Sequence, residues 1–350
     1  MKKTFTNEWY VYCRRTSVLF MLFLYGCSGT ANAQTLVNKE WSIADARPIN
    51  SDWYSTVIDR DDHLVSVGNT SMANEGANIW VQKTDPEGNV LWQRFYNSSG
   101  NQDDFGVGVT IDAQNNIYVC GTTKRNGQFD MVVVKYDVNG NQRWAVQYNS
   151  PFNQNDVATA LKTDPSGNVY VVGASEGATT MSDFLLLKLN TDGVNLWQKR
   201  YDYANLPEIP AGLEWDDAGN LLIVGASGTD FTNWDYAIVR YNTEGILLNA
   251  VRNQLPGTGF DQPVAVKKDN QGNIYITGKA SSDGTNYDIK TLKLNPSLSV
   301  AWVRTFDGSG LEDAANDLQI DDNGNVFVAG YSTKSNGLKE ITILKYDTDG

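Results

Sequence analysis

Apolar and polar positions alternate in short runs through most of this chain, and the runs return at a fixed interval. The clearest is Asp164-Pro-Ser-Gly-Asn-Val-Tyr-Val-Val-Gly173, whose closing glycine recurs as Gly68, Gly121, Gly173, Gly225, Gly278 and Gly330, at steps of 52 or 53 residues. The aspartate nine residues earlier recurs in all six copies, as Asp59, Asp112, Asp164, Asp216, Asp269 and Asp321. Between them the pattern predicts a tight turn followed by a strand. Gly167-Asn168 supplies the positive φ of a hairpin turn, and the β-branched and aromatic residues after it suit a pleated surface. Where glycine is missing, Asn115 or Asp62 stands in, residue types that tolerate the left-handed region best.

The second copy predicts four strands, over 106–111, 117–121, 131–136 and 143–148, with hairpin turns at 112–116 and 137–141. The third strand is a continuous apolar run in most copies: Met131-Val-Val-Val134, Phe184-Leu-Leu-Leu187, Tyr236-Ala-Ile-Val239 and Ile341-Thr-Ile-Leu344. Such runs imply burial on both faces, as in a sheet held between neighbouring sheets. No stretch keeps a helical period. Four strands per unit and a repeat near 50 residues predict an all-β fold, a six-bladed β-propeller of four-stranded antiparallel blades. Seven residues after the Asp or Asn that ends the third strand stands Trp92, Trp144, Trp197 or Trp302, with Asn249 in the fourth unit. A recurring aromatic on the outer strand is expected to seal one blade against the next.

The sixth unit reaches Gly350 before a fourth strand, while Val37-Asn-Lys-Glu-Trp41 reads as an orphan fourth strand, with Trp41 lying 51 residues ahead of Trp92. The reading is therefore one propeller domain over 35–350, closed by a strand from residues 35–45 that joins the last blade. The other reading is a longer propeller whose next blade follows Gly350. Residues 1–33 read as a signal peptide: Lys2, Lys3, Arg14 and Arg15 precede the apolar run from Val18 to Tyr25, and Ala31-Asn32-Ala33 is a small-x-small cleavage site. Leu24-Tyr25-Gly26-Cys27 gives the alternative of a lipoprotein anchored through Cys27. Either way the mature chain is expected outside the cytoplasm, secreted or at the cell surface. The apolar run is too short to span a bilayer, so no transmembrane segment is expected in the mature chain.

With 350 residues and 41% hydrophobic content the chain can bury a large core, and its net charge is −13 with a pI near 4.5. An acidic surface repels phosphate backbones, so nucleic acid is not an expected partner. After cleavage at Ala33 only Cys120 remains, which leaves no internal disulfide, and a monomer is expected. Cys120 takes the place of Val172 and Val224 and reads as a small core residue.

Two acidic series keep the blade period. One precedes the first strand, as Asp52, Asp104, Asp156, Glu208, Asp261 and Asp313; the other precedes the third, as Asp130, Asp183, Asp235 and Asp288, with Asn78 and Glu340 in the remaining units. First and third strands of a meander run the same way, so both series are expected on one face. The functional reading is a Ca²⁺ site, or a rim for a basic partner. The local reading is that each aspartate accepts backbone N–H groups of its own loop. A basic series, Lys83, Lys135, Lys188, Arg240, Lys293 and Lys345, ends the third strands, and ion pairs near the opposite face are expected of it. The Asp-x-x-Gly turns lack the alternating aspartates of a calcium loop. His63 is the only histidine, which argues against Ser-His-Asp or Cys-His catalysis and against zinc. Variable polar loops between second and third strands carry isolated aromatics, Phe231, Trp234 and Tyr287, as candidate ligand contacts. The fourth unit diverges most, with Leu206-Pro-Glu-Ile-Pro210 and Asn249.

Asp-x-x-Gly-Asn-x-Tyr-Val-x-Gly, followed by Asp-x-x-x-x-Lys-Tyr-Asp-x-x-Gly-x-x-x-Trp, resembles the bacterial β-propeller repeats of the SBBP type, over nearly everything after residue 36. The resemblance implies an exported or surface protein and specifies blades rather than chemistry. A more distant likeness is to the blades of quinoprotein dehydrogenases. The expected function is a non-enzymatic module that binds protein or glycan through its loop-bearing acidic face. The alternative is a polysaccharide hydrolase or lyase working with carboxylates alone.

Overall fold

The structure is a computed structural model that describes residues 51–72, 76–178, 181–203, 205–228, 234–253, 259–281 and 286–350. Its strands form six antiparallel sheets, each running in chain order from first strand to last; five have four strands and the sixth has three. The first strands of successive blades lie against one another, so the sheets are arrayed like propeller blades with their first strands innermost. The expected closing strand, residues 35–45, and the expected signal peptide lie outside the described residues.

Each hairpin from first to second strand is held by its aspartate. In the second blade Asp112 Oδ1 accepts the backbone N–H groups of Gln114 and Asn116, while Oδ2 accepts Asn116 Nδ2 and the Tyr118 hydroxyl. Asn115 sits at φ 59° and Asp62 at 61°, in the place where Gly167 has 79°. These carboxylates are occupied within their own turns, as the hairpin reading required. The periodic glycine serves a different need. A β-carbon on Gly121 would stand 2.3 Å from the Phe105 carbonyl oxygen, and one on Gly173 2.2 Å from that of Val157, so the second strand passes the first too closely for any side chain.

The blade-to-blade core is a stack of alternating faces. Val119, Val132 and Val134 of the second blade pack on Val65, Val67, Ile79 and Val81 of the first. On the other side Tyr118, Cys120, Met131 and Val133 meet Ala158, Leu161 and Leu187 of the third. Cys120 is indeed a small buried core residue. The second and third strands run longer than the sequence reading of 117–121 and 131–136: in the second blade they are Ile117–Arg125 and Gln128–Tyr136, joined at Asn126-Gly127 with both φ positive. A two-residue Asn-Gly turn twists the way the strands do, so pairing continues to its ends.

In the sixth blade the stack stops. Ile341 and Ile343 match Met131 and Val133 in register, yet they are 62% and 53% exposed where those two are 0% and 2%. No elements of the sixth and first blades pack as successive blades do elsewhere among the described residues. Lys339–Tyr346 also has no fourth-strand partner there.

Tryptophan joins the blades as the sequence predicts. The indole N–H groups of Trp92, Trp144 and Trp302 donate to the carbonyls of Val138, Thr191 and Thr348, each in the third-to-fourth turn of the next blade, at 3.2, 3.0 and 3.2 Å. The basic series corrects expectation. Lys83 and Arg240 do form ion pairs, with Asp59 at 2.7 Å and Asp216 at 3.2 Å. Lys135, Lys188 and Lys293 instead donate to the next blade's turn carbonyls, Thr191, Thr243 and Thr348, and lie over Tyr118, Tyr170 and Tyr275. A lysine long enough to cross the blade gap finds a dense set of carbonyl oxygens there.

Candidate functional site

The register places both acidic series at one end of the sheets. Asp104 pairs with Thr123 and Thr123 with Asp130; Asp156, Ser175 and Asp183 align in the same way, as do Asp313, Ser332 and Glu340. The first series is not a solvent rim. Asp104, Asp156, Glu208 and Asp313 are wholly buried and Asp261 nearly so. Asp104 accepts the N–H of Ser98, Asp156 that of Ser150 and Asp313 that of Gly308, each at 2.6 Å. The donors lie in the loop leaving the preceding blade, so each acid ties its strand to its neighbour blade. The backbone of Asp52 pairs with Asn69 in the first blade.

Burial dominates the electrostatics here. It pushes the carboxyls of Asp104 and Asp156 up, takes Glu208 to about 8 and Asp261 to about 6. Ser227 Oγ donates to Glu208 and the Lys290 ammonium lies 3.8 Å from Asp261, but neither compensates the lost hydration. Arginines of the fourth strands serve the second series. Arg200 pairs with Asp183 and donates to the Ser175 hydroxyl at 3.0 Å; Arg252 donates to Asp235 at 3.1 Å. Sequence reasoning passed over these two arginines, although they keep the blade period.

Carboxylates converge from three strand ends at two blade junctions: Asp183, Asp202 and Glu208, and Asp288, Asp307 and Asp313, with ligand atoms within 4.8 Å of one another in each group. At the first the Arg200 guanidinium already occupies Asp183. At the second, Asp313 holds Gly308 and Thr333 and Asp307 holds Gly310 through backbone N–H groups. At the second group the oxygens of Asp307 and Asp313 serve backbone donors, whereas at the first Glu208 Oε2 is buried with no hydrogen-bond partner among the described residues.

Of the aromatic candidates, Phe231 lies outside the described residues. Trp234 and Tyr287 come together through a residue the sequence did not single out. Trp234 packs on Phe260 at 5.6 Å between ring centroids, and Phe260 meets Tyr287 edge to face at 6.1 Å. The backbone fixes this arrangement: Asp261 N donates to the Trp234 carbonyl at 2.9 Å, and Asp313 N to that of Tyr287 at 2.6 Å. Lys279 lies over the rings of Tyr287 and Phe260, at 4.6 and 5.9 Å. Phe260 and Lys279 stand at positions that no one residue type holds across the blades, so a search for periodic residues had no means of finding them.

No family model matches the chain, so none supports the SBBP-type resemblance, and no curated protein matches it. Solved structures do. A protein of unknown function from Dyadobacter fermentans DSM 18053 superposes with TM-score 0.53 at 11% identity, over 85% of this chain and 95% of that one. The Hadza microbial sialidase Hz136 gives 0.54 at 11% identity, over 85% of this chain and 65% of that one. A PL25 ulvan lyase bound to -[GlcA(1-4)Rha3S]- gives 0.54 at 12% identity, over 84% of this chain and 80% of that one. At these identities the likeness establishes the β-propeller fold alone.

Proposed function

We propose that the chain is a non-enzymatic exported propeller that binds protein or glycan through its loop-bearing face. The observation that carries this reading is the coincidence of a repeating scaffold with a cluster of non-repeating aromatic and charged side chains, Trp234, Phe260, Lys279 and Tyr287. Rigid platforms bearing a few non-repeating aromatic and charged groups are suited to recognition. Export rests on the pattern of residues 1–33. In the same reading the ring is closed by residues 35–45, which would pair with Lys339–Tyr346 and set Trp41 over the turn from Asp85 to Asn89. The uncovered Ile341 and Ile343 support a cover of this kind. A screen of the full chain against glycans and surface proteins tests the reading: binding that Tyr287→Ala weakens supports it, and no binding in either class contradicts it.

One observation favours the second reading, a carboxylate-based polysaccharide hydrolase or lyase. Glu208, pushed up to about 8 beside Asp183 and Asp202, is protonated at neutral pH as a general acid must be. Its complete burial weighs against it. Chain cleavage in a polysaccharide panel that is lost on Glu208→Gln, Asp104→Asn or Asp156→Asn would establish this reading in place of the first.

A further inference from the structure

The blades differ from one another at the entry to their acidic positions. The residue ahead of the second acidic series is Ala77, Phe129, Ser182, Trp234, Tyr287 or Lys339 in turn, and the residue ahead of the next blade's acid of the first series is Asp103, Asn155, Pro207, Phe260 or Glu312. Only at the junction of the fourth and fifth blades are both aromatic. Lys279 stands at a position that varies among the blades, with Asn69, Thr122, Ala174, Ala226 and Tyr331 in the others, and it is the only cation there.

Phe260 and Tyr287 stand at 88° to each other and form an apolar corner. Their ring faces hold the Lys279 ammonium through the negative side of the ring quadrupole. Lys279 is half-buried and has no carboxylate within ion-pair distance among the described residues, in a chain whose net charge is −13. Beside the corner Trp234 is 4% exposed, and its indole N–H has no acceptor among the described residues. A partly dehydrated ammonium attracts an anion more strongly than one in open water.

We infer that this corner binds a carboxylate-bearing sugar of a glycan, with the C–H face of the pyranose on Phe260 and Tyr287 and the carboxylate on Lys279. A pyranose holds its carboxylate rigidly beside an apolar face, so one sugar can meet both the Lys279 ammonium, 4.6 Å from the Tyr287 centroid, and the ring surface around it. An acidic peptide carries its carboxylate on a flexible stem and offers no such face. The site takes a single charged sugar and not a polyanion, because the field of the chain as a whole repels extended negative charge. The inference rests on the binding reading above and names a ligand class for it.

Titration of the full chain by saturation-transfer NMR tests it, with four probes: a disaccharide ending in glucuronate, the same disaccharide ending in glucose, a galacturonate trimer and an acetylated aspartyl peptide. The glucuronate disaccharide binds about tenfold more tightly than the glucose one, as a charge-assisted contact implies. Lys279→Gln erases that difference, Tyr287→Ala weakens both sugars, and Lys124→Gln, a lysine over the single ring of Phe129 on the same face, changes neither. Equal affinity for the two disaccharides, tighter binding of the trimer or the peptide, or indifference to Lys279→Gln overturns the inference. A chain that binds other glycans or proteins undisturbed by Lys279→Gln leaves the broader reading standing; one that binds nothing removes both.

Discussion

The indole of Trp144 lies over Gly193 of the next blade, so closely that a β-carbon there would stand 2.9 Å from the ring. Trp92 over Gly140 and Trp197 over Gly245 repeat the arrangement. The fourth blade has Asn249 where tryptophan belongs, and the turn it would cover has Leu298 at φ 66° in the glycine's place, with its side chain 3% exposed in the core. Leucine fills the space an indole fills elsewhere, despite the cost of a left-handed backbone. Asn249→Trp alone should therefore clash and lower the urea midpoint, while Asn249→Trp with Leu298→Gly should restore stability, with a coupling of about 1–2 kcal/mol in a double-mutant cycle. Additive effects would refute the exchange of one filler for the other. Trp144→Ala should cost about 2 kcal/mol, less than a fully buried aromatic because the ring is partly exposed.

Stability should fall as pH rises from about 5 to 8. The folded-state pKa of Glu208 is raised to about 8 by burial, so folding favours the protonated form. Its contribution is complete below the ordinary glutamate range and is lost as pH climbs through the raised value. Asp261, raised to about 6, acts with the same sign at lower pH. Glu208→Gln should flatten the dependence by on the order of 1 kcal/mol per pH unit in that window. An unchanged slope in urea titrations at pH 5, 6.5 and 8 would mean that Glu208 is not desolvated as described.

Calcium at a few millimolar should leave the melting temperature unchanged within about 1 °C. Asp307 and Asp313 hold backbone N–H groups, Asp183 holds an arginine, and Glu208, raised to about 8 by burial, is protonated at neutral pH, so neither group presents a free set of anionic oxygens. A clear rise, abolished by Asp307→Asn, would instead put a cation among Asp288, Asp307 and Asp313.

Backbone amides of Lys339–Tyr346 should exchange with solvent as slowly as those of Gln128–Tyr136, and Trp41→Ala should speed the former selectively by about tenfold or more. Fast exchange in the unaltered chain would place the cover outside this polypeptide.

The fold was legible because its constraints recur. Asp112, Asn115 and Gly121 each answer a backbone need that every blade shares, so six copies state the turn and the close strand approach six times over. The two acidic series and their common face were legible for the same reason. Their burial was not, since an aspartate that accepts N–H groups of the preceding blade's exit loop and one that faces water look alike in sequence. Lys135, Lys188 and Lys293 were misread because the carbonyls that receive them lie 55 or 56 residues away across a gap that only the packed structure defines. Phe260 and Lys279 were invisible to any periodic search, although Phe260 is the ring that joins Trp234 to Tyr287 and Lys279 lies over both Phe260 and Tyr287.

Incubating the full chain with a panel of polysaccharides, and measuring both retention on the polymer and release of new chain ends, tests the binding reading most directly. Retention without new ends, lost on Tyr287→Ala, is the predicted result. New chain ends that disappear with Glu208→Gln would contradict it and make the molecule an enzyme.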